Sequence, residues 1–324
     1  MKKILKIAGI LVLVLIMFAL GAVAYVKTAL PDVGEAPQLN IEKTPARLER
    51  GEYLANHITV CMDCHSTRDW TLYGGPLKEG NLGGGGEAFN KDMGFPGNFY
   101  ARNITPYALG NWTDGEIFRA ITTGVSKNGN PLFPVMPYHG YGQLDTEDIY
   151  SLITYVRSLK PVKNDVPASE ADFPVNILLN TMPAKANPGK RPDETDILNH
   201  GKYLVLAANC VECHSQTEKG AKIPGTEFSG GMEFKFPSGT VRSSNITSDN
   251  KTGIGLWSED AFVKRFKLDN DSGYVPHKVG PKDMNTPMPW GMYKGMDEKD
   301  LRAIYRYLKT IKPIEHQVVK FTPN

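Results

Sequence analysis

The sequence predicts an all-α chain: one small helical domain laid down twice behind an N-terminal membrane helix. Three observations predict it. A C-x-x-C-H stretch occurs at Cys61-Met62-Asp63-Cys64-His65 and again at Cys210-Val211-Glu212-Cys213-His214. The residues around it recur in the same order. An uncharged run from Ile7 to Val26 follows Lys2, Lys3 and Lys6.

The apolar run comes first in the chain. Twenty residues are enough to cross a bilayer as a helix. A cleaved signal peptide is the rival, with Ala22-Val23-Ala24 as its small-residue site. The length of the run favours a retained anchor over 1–27. The lysines then stay in the cytoplasm and the rest of the chain is exported to the periplasmic side. Residues 28–44 carry prolines, mixed charge and little periodicity, and read as a linker, with an ordered arm packed on the first domain as the equal alternative.

The C-x-x-C-H spacing is the attachment signature of haem c. One helical turn sets both thiols along one edge of a porphyrin, and the next residue offers its imidazole to the iron. Half a zinc site or a redox dithiol would not require a His in fifth position twice. The two motifs consume all 4 cysteines. Two covalent haems follow, on Cys61, Cys64 and His65 and on Cys210, Cys213 and His214. Attachment on the exported side agrees with the apolar run.

The repeat continues past the motifs. Gly51-x-Tyr53-Leu54 matches Gly201-x-Tyr203-Leu204, and Phe95-Pro96 matches Phe236-Pro237. Asn103-Ile104-Thr105 matches Asn245-Ile246-Thr247, and Trp112-Thr113 matches Trp257-Ser258. Met136-Pro137 matches Met288-Pro289, and Lys160-Pro161 matches Lys312-Pro313. The period is too long for a solenoid. The boundaries are domain 1 at 45–161, an interdomain linker or strap at 162–192, domain 2 at 193–316 and a C-terminal tail at 317–324.

Each copy reads as helical. Thr44-Pro45 starts the first helix and Asp193 to Asn209 does the same in the second copy. Thr113-x-x-Glu116 is a capping box and Ser258 caps its counterpart. Ile149, Leu152, Ile153, Val156 and Leu159 make an apolar helical face, repeated by Leu301, Ile304, Tyr305, Leu308 and Ile311. Asp145 and Asp297 are N-cap residues, and Asp148 and Asp300 add negative charge to the first turn. Gly83 to Gly86 lacks the Gly-Lys-Ser/Thr ending of a phosphate loop and reads as a flexible surface loop.

Met136 and Met288 are the candidate sixth iron ligands. Prolines flank each, and stiffness matters because a thioether binds iron weakly. Core packing is the commoner fate of methionine, but both copies hold one at the same place. His139 and His277 are rival ligands. His139 is matched by Gly291, and His277 has no counterpart. His57 and His200 read as surface or packing residues. Trp112, Trp257, Arg102, Arg242, Asn103 and Asn245 are candidates for contact with the haem propionates.

Net charge is +2 with 41% hydrophobic residues. That gives material for two cores and no basic stripe for nucleic acid. With these motifs in hand, the chain resembles the cytochrome c subunits of membrane-bound gluconate and alcohol dehydrogenases, across roughly 46–316. The more specific part is Asn103-Ile104-Thr105-Pro106, Trp112-Thr113 and Met136-Pro137-Tyr138. The resemblance implies tandem class I cytochrome c-like domains with His65/Met136 and His214/Met288 as axial pairs. It implies a non-catalytic electron carrier between a dehydrogenase or quinol donor and a cytochrome or terminal oxidase. Those subunits carry three such domains and a C-terminal attachment, whereas this chain has two domains and an N-terminal apolar run. A dedicated electron-transfer subunit of a membrane-bound gluconate or alcohol dehydrogenase-type complex is one alternative, and a dihaem peroxidase, which requires an opening sixth position, is the enzymatic one. A sulfur-oxidising cytochrome with a Cys ligand would need a fifth cysteine.

Overall fold

The structure is a computed structural model that describes residues 1–218, 220–267 and 275–324. The helix Lys2–Ala29 has no buried residue and a mean hydropathy of 2.9 over its most apolar window. By length and composition it can cross a membrane. Residues 30–44 form an arm packed on the first half rather than a free spacer. Ile41 is buried and Leu39 packs on the core. The Ile41 N–H donates to Asp114 Oδ2 at 3.2 Å. A Cβ on Gly115 would lie 1.7 Å from the Pro37 carbonyl oxygen, so the arm passes directly over that glycine. Of the two readings the sequence left open for this stretch, spacer and packed arm, the structure has the arm; two apolar residues in a proline-rich stretch leave no periodic signal to choose between them.

Each half rests on a pair of crossed helices. Pro45–Tyr53 packs on Thr146–Ser158, and Ile197–Ala207 packs on Glu298–Thr310. Glycine sets both crossings. A Cβ on Gly51 would sit 1.9 Å from the Ser151 carbonyl oxygen, and one on Gly201 would sit 2.0 Å from that of Ala303. The local signals explain the helix starts. Thr44 accepts from Arg47 N. Thr113 and Glu116 close a reciprocal capping box at Asp114–Thr123. Ser258 Oγ accepts from Ala261 N ahead of Glu259–Lys267. Asp145 caps its helix by accepting from Glu147 N at 2.9 Å. The Asp297 side chain makes no such bond.

One buried apolar cluster runs through both halves, from Leu54, Ile58, Leu152 and Ile153 to Leu204, Leu301 and Leu308. The halves meet through a reciprocal exchange. The Tyr53 hydroxyl donates to Asp300 Oδ2 at 2.6 Å and accepts from Asp297 N at 3.0 Å. The Tyr203 hydroxyl donates to Asp148 Oδ2 at 2.7 Å and accepts from Asp145 N at 3.0 Å. Each tyrosine thus caps the closing helix of the other half. The two aspartates differ in their counter-charge. Asp148 is paired by Arg50 at 2.8 Å and Arg191 at 3.0 Å, whereas Asp300 faces His200 Nε2 at 2.8 Å.

This asymmetry gives a pH prediction. Burial pushes the Asp300 pKa up, but hydrogen bonds from His200 and Tyr53 outweigh it and leave the carboxyl below its usual value. A depressed folded-state pKa contributes stability above the unfolded value of about 4, and the contribution is lost as pH falls through the folded value. Asp300→Asn is expected to be less stable at neutral pH and to show a flatter loss of stability on acidification below about pH 4. Thermal melts across that range check this. An acid limb as steep as in the unsubstituted chain would show that other carboxylates carry it.

Helices form the core, and short strands add three small sheets that the all-α expectation did not include. Gly97–Tyr100 pairs antiparallel with Ala88–Phe89 and with Glu170–Ala171. Gly239–Arg242 pairs with Glu233–Phe236 and with Phe321–Pro323, so residues expected as a tail form an edge strand. Thr217–Glu218 and Ala221–Lys222 make the third.

Candidate functional site

Both C-x-x-C-H stretches are built alike. In the first half the leading helix loosens into a π-helical turn at Leu54–Ile58. Val60 then takes a left-handed conformation (φ 46°), and Cys61–Cys64 forms a single helical turn ending at His65. In the second half Asn209 (φ 51°) precedes Cys210–Cys213 and His214. Asparagine tolerates this backbone, whereas a β-branched valine is strained there. The reversal in both halves aims the following turn away from the leading helix. Cys61, Cys64 and Cys210 are half-buried and Cys213 is exposed, so the motif faces a crevice. Desolvation by the surrounding protein raises all four thiols, Cys210 to about 12 and Cys213 to about 11.

The imidazoles are held at one nitrogen. His65 Nδ1 is 2.6 Å from the Arg102 carbonyl oxygen, and His214 Nδ1 is 2.7 Å from that of Ser244. A ring that donates from Nδ1 to a carbonyl presents its Nε2 lone pair to a metal. Burial pushes both pKa values down, which keeps the rings neutral at physiological pH. Both side chains nonetheless retain solvent access, as expected of groups lining a crevice.

The glycine stretch at 83–86 is not a flexible surface loop. Gly83, Gly84 and Gly85 are buried, and the Gly85 N–H donates to the His65 carbonyl at 2.8 Å. Gly85 has φ +71°, and its Cβ would fall 2.6 Å from Asn103 N. The second half repeats this: Gly230 N–H donates to the His214 carbonyl at 2.8 Å, with φ +73° and the same 2.6 Å approach to Asn245 N. Glycine serves close backbone approach here. Composition alone does not separate that use from flexibility.

The paired asparagines turn inward to the backbone. Asn103 Oδ1 accepts from Thr105 N and Oγ1, while its Nδ2 donates to the Val162 and Asn164 carbonyls. Asn245 Oδ1 accepts from Thr247 N and Oγ1, and its Nδ2 reaches Thr252 Oγ1 and the Ile314 carbonyl. The Arg102 guanidinium donates to the Pro167 carbonyl, and that of Arg242 binds Glu233 and Thr322. These groups fasten the loops that carry the carbonyls behind His65 and His214.

Met136 and Met288 sit in matching turns. Tyr138 N donates to the Met136 carbonyl and Trp290 N to the Met288 carbonyl, each at 2.8 Å. Both side chains pack, partly buried, on the core. One-turn helices follow at Tyr138–Tyr141 and Trp290–Tyr293. The Tyr141 hydroxyl donates to the Thr59 carbonyl at 2.9 Å, and that of Tyr293 to Ala208 at 3.1 Å. Each methionine segment is thereby tied to the residues just ahead of its own Cys pair.

The other histidines are engaged elsewhere. His57 Nδ1 lies 2.8 Å from the Met292 carbonyl, His139 packs on Tyr138, and His277 stacks on Tyr73. His200 is buried against Asp300. Two thiols, an imidazole with one nitrogen committed, and a thioether segment fastened to the same motif make a donor set that fits haem c in both halves. The sequence reading missed Tyr141 and Tyr293. Their repeat at the same spacing as the two methionines was available as a signal.

A cytochrome c family model matches residues 198–312. The chain is 30% identical over 287 residues to the fructose dehydrogenase cytochrome subunit of Gluconobacter japonicus, covering 83% of this chain and 54% of that protein. It is 27% identical over 296 residues to the gluconate 2-dehydrogenase cytochrome c subunit of Pantoea cypripedii, covering 86% and 62%. It is 26% identical over 266 residues to a diheme cytochrome c-type protein of Cereibacter sphaeroides, covering 79% and 83%. The chain therefore spans little more than half the length of these two dehydrogenase subunits.

Proposed function

We propose, from the premise that this chain carries a cytochrome c domain and is homologous to the cytochrome c subunits of fructose, alcohol and gluconate dehydrogenases, that it is a dihaem electron carrier serving a membrane-bound dehydrogenase. The observation that supports it best is the duplication of one donor arrangement: Cys pair, carbonyl-held imidazole and tethered methionine, in both halves. Haem c, when bound, supplies an Fe(III)/Fe(II) couple that exchanges one electron.

The roles of the residues follow. Cys61 and Cys64, and Cys210 and Cys213, would attach the two groups by thioether bonds. His65 and His214 would ligate the iron, their rings oriented by the Arg102 and Ser244 carbonyls. That second contact raises the basicity of the ligating nitrogen. Met136 and Met288 would supply a second ligand to each iron, which favours electron transfer over substrate binding there. The domains are 45–161 and 193–316. The lysines in the first turns of Lys2–Ala29 favour a periplasmic position for both, held to the inner membrane by that helix. The donor is a dehydrogenase flavin or quinone cofactor, or quinol, and the acceptor a cytochrome or terminal oxidase. None of the relatives named above is a peroxidase, and that alternative is not carried forward.

The test is the ligand state of the ferric protein by electron paramagnetic resonance and far-red absorption. Two low-spin haems, each with a methionine-to-iron charge-transfer band, are expected. A high-spin signal from either would overturn the carrier reading of that half.

A further inference from the structure

The strap between the halves carries a stretch that neither half uses. Residues 173–183, Phe-Pro-Val-Asn-Ile-Leu-Leu-Asn-Thr-Met-Pro, contain no charge. None of Phe173, Val175, Ile177, Leu178, Leu179 and Met182 is buried, and Phe173 is 77% exposed. The stretch is nevertheless firmly held at both ends. On one side Glu170–Ala171 pairs with Gly97 and Asn98, Asp172 N donates to the Pro96 carbonyl, and Lys91 pairs with Asp172 at 2.9 Å. On the other side Asn187 N and Gly189 N donate to the Gly142 and Gln143 carbonyls.

Part of the tip's backbone is paired locally. Asn176 N donates to the Asp172 carbonyl, Ile177 N and Leu178 N to Pro174, and Met182 N to Leu179. The turn Val175–Leu178 and the turn after it touch the helix Lys2–Ala29. Within that helix Val26, near its C-terminal end, is the residue that gains partial cover. An exposed pair, Lys185 with Asp32 at 3.8 Å, lies alongside.

We propose that residues 173–183 insert into the headgroup and acyl boundary of the bilayer, beside the emerging N-terminal helix. The protein then meets the membrane at two points, and the strap sets the tilt of the haem-bearing body above it. Contiguity selects lipid as the occupant: the apolar tip adjoins the end of a helix that has no buried residue and the length to span a bilayer. Local pairing of part of the backbone lowers the cost of moving a short apolar segment toward the interface. An apolar patch of this kind on a free surface would otherwise be an association site. The inference rests on the proposed membrane placement, yet it does not require the helix itself to be retained.

The full chain with both haems, placed in vesicles of phosphatidylethanolamine and phosphatidylglycerol containing a phospholipid with a photoactivatable acyl chain, tests it. Mass spectrometry locates the adducts. Adducts within 173–183 as well as in 7–26 are expected, with loss of the former in Phe173→Glu/Leu178→Glu at an unchanged haem spectrum. Adducts confined to 7–26 would overturn the proposal and leave the anchor intact. Adducts at 173–183 without any in 7–26 would support it and remove the anchor. Cross-linking of 173–183 to a polypeptide in native membranes, in place of lipid, would also overturn it. Should the double variant fail to fold, the unsubstituted map decides alone.

Discussion

Gly51→Ala and Gly201→Ala are each expected to cost more than about 3 kcal/mol of folding stability, beyond the usual range for one added methyl group. The new Cβ would fall 1.9 Å from the Ser151 carbonyl oxygen in one case and 2.0 Å from that of Ala303 in the other. Neither neighbour is a movable side-chain tip. Both are backbone in the middle of a closing helix, so the helices must part. Parting them also displaces Tyr53 or Tyr203, two residues along, from the aspartate of the opposite half. Gly291→Ala is the control, because a methyl group there meets nothing within 4 Å. It should leave the melting temperature within about 2 °C of the starting value. Calorimetric melts of the three variants check the prediction. If Gly51→Ala melts with the control, the crossing is looser than its geometry states.

Asn103→Ala and Asn245→Ala come second, at about 3 kcal/mol each. A net hydrogen bond contributes about 1 kcal/mol, and buried groups left without partners add to the loss. Each side chain is 4% exposed and makes four bonds. The effect should extend beyond stability. Asn103 directly follows Arg102, whose carbonyl holds His65, and Asn245 follows Ser244, which holds His214. Slackening that carbonyl should lower ligand basicity and shift the midpoint potential of one haem, leaving the other in place. Asn→Asp keeps the acceptor and loses the donors, so it should retain the Thr105 or Thr247 turn while freeing Val162 or Ile314. Denaturant unfolding and potentiometric titration separate the two parts. Equal shifts at both haems would mean that the whole fold, not the loop, had changed.

The parts of the fold legible in the sequence were those whose cause is local. A Cys pair and a His on one turn are fixed by covalent geometry. Thr113 with Glu116, and Asp145 ahead of its helix, state their role within three residues. The closing helices announce themselves by an apolar face repeated at constant spacing. What escaped depends on partners far along the chain. The strands are two to four residues long, and several exist only because the strap or the C-terminal segment returns to pair with them. Gly83 to Gly86 were read as loose because glycine at positive φ serves both freedom and tight approach. Asp148 and Asp300 were read as dipole charges. Their bonds to Tyr203 and Tyr53 span the two halves and leave no trace within either helix.

That reciprocal exchange has a consequence for the timing of biogenesis. Tyr53 is made 247 residues before its partner Asp300. At about 5–20 residues per second, roughly 12–50 s separate them. Through that interval the apolar flank of the first half that the second half later covers has no partner. Any factor that shields this flank acts in that window, and a pause in synthesis between the halves would lengthen the exposure rather than aid folding.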